Sequence, residues 1–259
     1  MDYFEKLEKN PYEDLKWNIP ERKQGTVNIV GGNISHFRTE VKVAEFLNAE
    51  YPVELVKVVM PDALKAKLPP LEDFVFLPST DAGSLAESQE LLNIFNTADF
   101  NLVVGDLSRN KVTGKAIMSA CHSVEKMTLV TRDSMDAIAD NGPEKLLMNE
   151  NLIFLASMPQ LVKLLRAVYY PKMLLQSQSL VQVSEVLHKF TLSYPVRIVT
   201  LHNGQVLVAE GGSVKAVALE MTGYSPITFW GGELAAKIVA LNLYNPNSFI
   251  KATVTAIKK

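Results

Sequence analysis

Short β-branched runs alternate with stretches of helical period along most of this chain, and that alternation leaves few architectures open. Thr26 to Val30 is an apolar run that stops at Gly31 and Gly32, and Thr39 to Asn48 then carries Val41, Ala44, Phe46 and Leu47 at helical spacing. A continuously apolar run marks a strand buried on both faces, and the helical stripe marks the element that covers it. The order recurs. Strands are predicted at Val53 to Val59, Phe74 to Leu77, Phe100 to Val104, Met127 to Val130, Leu152 to Leu155 and Val196 to Thr200. Helices are predicted at Ser84 to Asn96, Val112 to Cys121, Ser134 to Asp140, Met158 to Val168, Leu180 to Phe190 and Glu233 to Leu243. Strands joined through helices run parallel, so the pattern predicts a mainly parallel sheet with helices on both faces. Gln205 to Ala209 and Val214 to Ala218 flank Glu210, Gly211 and Gly212, turn residues that predict a β-hairpin late in the chain.

The first residues read differently. The stretch KNPYEDLKWNIPERKQG mixes charges, prolines and two large aromatics, so residues 1–25 are predicted as an extended arm pinned by Tyr12 and Trp17, with one α/β domain over 26–259. At 47% hydrophobic residues the chain can bury one large core. Its 26 Lys and Arg against 28 Asp and Glu offer no general attraction to nucleic acid or anionic lipid. Pro11 and Pro20 break a charged N-terminus that is neither signal peptide nor membrane helix. The single cysteine, Cys121, cannot form an internal disulfide, which points to the cytoplasm. The expected partner is a small molecule, and the aromatic arm leaves a homo-oligomer open.

In an open parallel sheet, ligands sit beyond the carboxyl ends of the strands, where loops and helix starts meet. Three loops obey that rule. Gly31, Gly32, Asn33, Ile34, Ser35 and His36 follow the first strand, where glycines admit close backbone approach and a helix start favours an anion. A plain tight turn would use the same residues. Gly105, Asp106, Leu107, Ser108, Arg109, Asn110 and Lys111 bring a carboxylate, a hydroxyl and two cations to another strand end. Such a set could orient a phosphorylated or polyhydroxy ligand, or form a solvated loop. Gly231 and Gly232, preceded by SPITFW, open an apolar helix whose unpaired N–H groups could hold a phosphate or a developing oxyanion. Close packing of that helix on the sheet would need the same glycines.

Other chemistry fails on spacing. Gly114 and Lys115 suggest a phosphate-binding P-loop, but Arg109 stands where its first glycine is required and Ala116 where Ser or Thr should hold magnesium. His36, His122, His188 and His202 are scattered, with no pair at ligand spacing, so no metal site is predicted. A G-x-S-x-G elbow is absent, and the methionines read as core filler.

Taken in order, these loops resemble the NAD(P)H-hydrate dehydratase family, a branch of the ribokinase-like fold, across Gly25 to Lys259. The likeness lies in order and spacing more than in identity. The family's Gly-Gly-Ser loop is similar to Gly31, Gly32 and Asn33, and its Gly-Pro-Gly-Leu-Gly loop to Gly105 through Arg109, which keeps only the first glycine. Its Asp-Ala-Asp segment is similar to Thr131, Arg132 and Asp133; its Thr-Pro-His-Pro-Gly-Glu segment falls on Leu155 to Gln160, where none of it survives. Its Gly-Ser-Gly-Asp segment falls on Phe229 to Gly232, so glycine replaces the aspartate that moves a proton beside an anion hole. Glu233 is one position on, turned about a hundred degrees by the helix. Its nucleotide-binding Lys-Gly pair is similar to Thr200, Leu201, His202 and Asn203, without the lysine.

The resemblance implies a ribokinase-like three-layer α/β/α sandwich with a mainly parallel central sheet and a C-terminal β-hairpin. It also implies ATP or ADP with Mg2+ as cofactor. The binding residues it implies are Gly31, Gly32, Asn33, His36, Gly105, Asp106, Ser108, Arg109, Asn110, Thr200, His202, Gly231 and Gly232. Glu233, Asp106 and Asp133 are the carboxylates that could replace the missing acid. Two readings follow: a non-catalytic relative that binds a nucleotide or phosphorylated metabolite, or an active ATP- or ADP-dependent NAD(P)H-hydrate dehydratase or small-molecule kinase. The first is preferred, because four motif positions bearing side-chain chemistry are altered together. Convergence of two of the carboxylates on Gly231 and Gly232 would favour chemistry, and dispersal would favour binding alone.

Overall fold

Val27, Ile29 and Val30 are fully buried, as a strand enclosed on both faces requires. They lie in the middle of a ten-stranded sheet. The computed structural model describes residues 2–69, 71–219 and 229–258. The side chains of Lys16 and Trp17 lie outside the described part, so the anchor expected at Trp17 is not placed. Residues 225–228 of SPITFW also lie outside it.

In chain order the strands are β1 (Phe4–Leu7), β2 (Thr26–Gly31), β3 (Leu55–Pro61), β4 (Phe74–Leu77), β5 (Phe100–Gly105), β6 (Met127–Thr131), β7 (Leu152–Leu155), β8 (Arg197–His202), β9 (Gln205–Glu210) and β10 (Ser213–Ala218). Across the sheet they lie β1-β10-β9-β8-β7-β6-β5-β2-β3-β4. Strands β2 to β8 pair with one another only in parallel, and β8-β9 and β9-β10 pair antiparallel. The late hairpin is therefore present, turning through Gly211 and Gly212 with Ser213 opposite Glu210.

Alternate residues of each central strand feed two cores. Val30, Val103, Val130 and Phe154 face helices α2 (Gln89–Phe95), α3 (Lys111–Ser123), α4 (Asp133–Asp140), α5 (Met158–Ala167) and α6 (Leu180–Ser193). Ile29, Leu102, Leu129 and Ile153 face α1 (Arg38–Glu50), α7 (Glu233–Tyr244) and α8 (Phe249–Lys258). The result is a three-layer α/β/α sandwich.

Two local readings change. The helix expected from Ser84 begins only at Gln89: Ser84 and Leu85 are held in isolated bridges to Asn33 and Ser79, and the Ser88 hydroxyl accepts the Leu91 N–H to start the helix. The expected arm contains regular structure, because Phe4–Leu7 adds in parallel to β10, with Phe4 opposite Val214. Beyond it, the Thr255 hydroxyl donates to the Tyr12 carbonyl at 3.2 Å and Lys251 lies 5.8 Å from the Tyr12 ring centroid. Tyr12 thus seats this segment on α8.

Candidate functional site

The chain leaves β2 toward β3 on one side and later returns to β5 on the other. The loops after β2 and β5 therefore part, and a crevice opens between them at the carboxyl ends. Sterics fix glycine at its floor. A Cβ on Gly31 would stand 2.5 Å from the Gly105 carbonyl oxygen, and one on Gly105 would overlap Asp133 Oδ1. With both bare, the Gly32 N–H donates to the Gly105 carbonyl at 2.9 Å and the two loops meet.

Above that floor lies a cavity of about 940 Å³. Asp106 lines it, its carboxylate accepting from Arg132 Nη2 at 2.8 Å and from the Thr39 hydroxyl at 3.0 Å. The Asn33 side-chain amide donates to the Asp106 carbonyl. Asp133 accepts the Asp106 and Leu107 N–H groups at 2.7 and 2.8 Å, so it shapes the loop rather than reaching outward. Burial pushes its pKa up, against those two donors. Gln160 donates to the Arg132 carbonyl at 2.6 Å and to Asp136 at 2.9 Å, while its own carbonyl receives the Ser157 N–H in a capping box. Behind these groups Glu40 is fully buried, its carboxyl 2.6 Å from where a Gly31 Cβ would be. Desolvation, then the Asp106 charge, raises its pKa to about 8.

The backbone carries its own signal. Six described non-glycine residues have positive φ, and four of them, Asp106, Ser108, Arg109 and Arg132, line this cavity. Each such residue costs about 1 kcal/mol or more and persists where surrounding contacts impose it, a pattern concentrated at functional sites.

Most of the residues expected at the site are brought together here. Asn33, His36, Asp106, Ser108, Arg109, Asp133 and Gly231 line the cavity, with Gly31, Gly32 and Gly105 beneath. Gly232 begins α7 at φ 100, and a Cβ there would stand 2.6 Å from Val43 Cγ2. Asn110 lies aside, capping α3 through the Val112 N–H and bonded to the Thr80 hydroxyl. Thr200 and His202 do not line the cavity. Asn203 and Gly204, both at positive φ, turn β8 directly into β9, and His202 is buried with Nε2 2.8 Å from the Gln178 carbonyl. That Asn-Gly pair is a hairpin signal that motif matching overlooks.

The carboxylates divide. Asp106 and Asp133 share the cavity with Gly231, whereas Glu233 is paired with Lys237 at 3.1 Å, half exposed, and lines no part of it. Arg132, Asp136, Ser157, Gln160 and Trp230 are additions to the expected set. Arg132 and Ser157 stand just past β6 and β7, where the strand-end rule would have found them, and Ser157-x-x-Gln160 is a capping-box signature. Trp230 packs edge-on against buried Phe229, with ring centroids 4.6 Å apart.

The donors suit an anion. Arg109 and Arg132 line the same cavity as Gly231, just before the start of α7. They do not suit a divalent cation held by the protein. Asp106 is committed to Arg132 and Thr39, Asp133 to two backbone N–H groups, and Asp136 to Gln160 and Lys163. Among the described residues there is no cluster of three or more His, Cys, Asp or Glu that could hold a metal.

No protein-family model matches the chain, and no curated protein matches it in sequence. Solved structures do. A ribokinase-like superfamily protein from Enterococcus faecalis superposes with TM-score 0.67 at 15% identity, over 99% of this chain and 87% of that one. The ADP/ATP-dependent NAD(P)H-hydrate dehydratase of Bacillus subtilis, crystallised with ATP/Mg2+, gives 0.61 at 11%, over 97% and 86%. Ribokinase from Thermotoga maritima gives 0.58 at 11%, over 91% and 93%. At these identities the likeness establishes the fold alone.

Proposed function

We propose that this chain, which has the ribokinase-like fold, binds a nucleotide or phosphorylated small metabolite in the crevice between β2 and β5, and that it lacks the proton transfer of the dehydratases it resembles. The observation that carries this reading is Gly232. The α7 start that would receive an anion is kept, while Val43 occupies the space into which any side chain at Gly232 would project. In the binding step, the free N–H groups of the first turn of α7 take one face of a phosphate. Arg109 and Arg132 line the same cavity; the Arg132 guanidinium is held by Asp106 and its backbone carbonyl by Gln160, so little order is lost on binding. ATP or ADP is the nucleotide suggested by the dehydratase likeness. Magnesium, where bound, would come held by the phosphates.

A competing reading keeps chemistry, as an ATP- or ADP-dependent dehydratase or small-molecule kinase, because Asp106 and Asp133 do meet in the cavity. That meeting is the arrangement that favours chemistry; against it, Asp106 is engaged by Arg132 and Thr39 and Asp133 by two backbone N–H groups, which argues against either as the group that moves a proton. Among the described residues no helix is long and apolar enough to cross a membrane, and a small-molecule site of this kind suits a cytoplasmic protein.

The test is thermal unfolding with ATP, ADP, AMP, NADH and NADPH, each with and without magnesium. Saturation at a hundredfold over Kd adds about 2.7 kcal/mol, a rise of roughly 5 °C or more for a chain of this size. The expected result is such a rise with at least one ligand, lost in Arg132→Ala, without turnover of hydrated NADH. No rise with any ligand would remove the reading, and turnover abolished by Asp106→Asn would replace it with the enzymatic one.

A further inference from the structure

From Asn151 to Ser184 the chain carries no Asp or Glu, although it holds 28 of them in all. Lys163, Arg166 and Lys172 lie within that run. A chain that is slightly acidic overall thus has one acid-free tract, which includes α5 and the loop of residues 168–179 that joins it to α6. Lys163 is tied to Asp136 and Asp140 of α4. Arg166 and Lys172 are exposed and make no ion pair among the described residues. Glu185 of α6 feels the Lys172 charge but is paired with Lys189 at 2.6 Å.

The same loop leaves large apolar side chains in solvent. Tyr169, Met173 and Leu175 are 91%, 62% and 47% exposed. The chain between them is anchored from within. The Tyr170 N–H donates to the Leu165 carbonyl at 2.9 Å, its ring stands edge-on to Phe190 with centroids 5.0 Å apart, and Leu174 is buried. The Gln178 side chain closes the loop, accepting the Leu175 N–H at 2.9 Å and donating to the Met173 carbonyl at 3.3 Å. Arg166, Lys172 and Met173 meet around one dimple of about 30 Å³, so cations and apolar groups share a surface. The dimple has room for a water rather than a side chain.

The fold gives no reason for a tyrosine at 169. Its φ of 51 is left-handed, where glycine or asparagine is the residue of least strain, and its ring packs against little. Strain of this kind persists where function uses it. Charge and shape then choose the occupant. A second copy on a two-fold axis would bring Arg166 and Lys172 against their own counterparts. A peptide would find no groove to fill. A lipid bilayer needs none: apolar side chains enter it, cations meet its anionic head groups, and a tyrosine suits the boundary between the two.

We infer that the loop of residues 168–179 docks on an anionic lipid surface, with Tyr169, Met173 and Leu175 entering the interface and Arg166 and Lys172 meeting the head-group charge. The contact is peripheral and reversible, since one short loop buries far less than a spanning helix. It is independent of the crevice between β2 and β5, and stands whether or not that crevice binds a nucleotide.

The test is flotation of the full chain with two kinds of vesicle, phosphatidylcholine alone and phosphatidylcholine with phosphatidylglycerol in equal parts. The expected result is capture by the mixed vesicles, weaker by about tenfold or more on the neutral ones and falling as salt is raised. Tyr169→Asn keeps the left-handed backbone and removes the ring, so it is expected to melt no lower than the native protein and to bind the mixed vesicles about tenfold more weakly or worse. Lys172→Glu, at an exposed position, is expected to weaken capture by a similar factor. Equal capture by both vesicles, or undiminished capture of Tyr169→Asn, would overturn the inference. Capture by neither would overturn it too and leave the loop to an acidic protein. A dimer in analytical ultracentrifugation that Tyr169→Asn dissolves would overturn it in favour of a second copy.

Discussion

Glu40 is the residue whose environment departs furthest from its chemistry. It is sealed from solvent, no side chain bonds its carboxyl, and Asp106 and Asp133 add negative charge that its own backbone N–H and Arg132 only partly offset. Its pKa therefore rises from 4.5 to about 8. Over that interval the folded protein holds a proton that the unfolded chain releases, so stability falls as pH rises through it and levels off above about 8. A tenfold change in proton affinity is worth roughly 1.4 kcal/mol, which makes the whole effect on the order of a few kcal/mol. Glu40→Gln keeps the shape and cannot ionise. Urea unfolding between about pH 5 and pH 8 is expected to show the native protein losing stability and the variant holding nearly level; parallel curves would mean that Glu40 ionises freely. Nothing in the sequence marks this residue, since Glu40 reads as one more charge in the first turn of a helix. Its burial is imposed by Gly31 and Gly105, which bring two loops close enough to cover it.

At the scale of elements, the strands and helices are legible in the sequence and their pairing is not. Buried parallel strands announce themselves as unbroken apolar runs, and Phe74–Leu77 and Leu152–Leu155 stand where periodicity places them. β1 gives no such signal: FEKL has two charged residues in four, and it pairs because β10 leaves an open edge after the hairpin. Leu7 is buried and Lys215 meets Glu5 at 2.5 Å, so the strand both covers apolar surface and closes hydrogen-bonding groups. A chain lacking residues 1–9 is expected to expose the β10 edge, unfold several degrees lower and self-associate in light scattering. A monomer of unchanged stability would show that the edge is protected by other means. The β8–β9 turn carries the converse lesson. Asn203-Gly204 is available in the sequence as a hairpin turn, but a family likeness draws Thr200 and His202 toward a ligand, and the sheet holds both inside.

At the scale of the whole molecule, the candidate site follows from strand order. The sequence names the loops at Gly31, Gly105 and Gly231, yet only the arrangement β5-β2-β3 makes the first two face each other, and no local pattern encodes that neighbourhood. The same arrangement governs stability. Each central strand gives alternate side chains to two cores, Val103 to one and Leu102 to the other, so neither face can lose its helices without exposing strands that the other still uses. The two cores are therefore coupled through every central strand. Thermal unfolding is expected to be a single transition, with a calorimetric enthalpy on the order of 180 kcal/mol near 60 °C and a van't Hoff enthalpy equal to it. Two resolved transitions, or a van't Hoff value near half the calorimetric one, would mean that one helical layer detaches while the sheet persists. The crevice between β2 and β5 would then be the seam to inspect. There the register slips between Val30 and Gly31, and the pairing that joins the two halves of the sheet is interrupted.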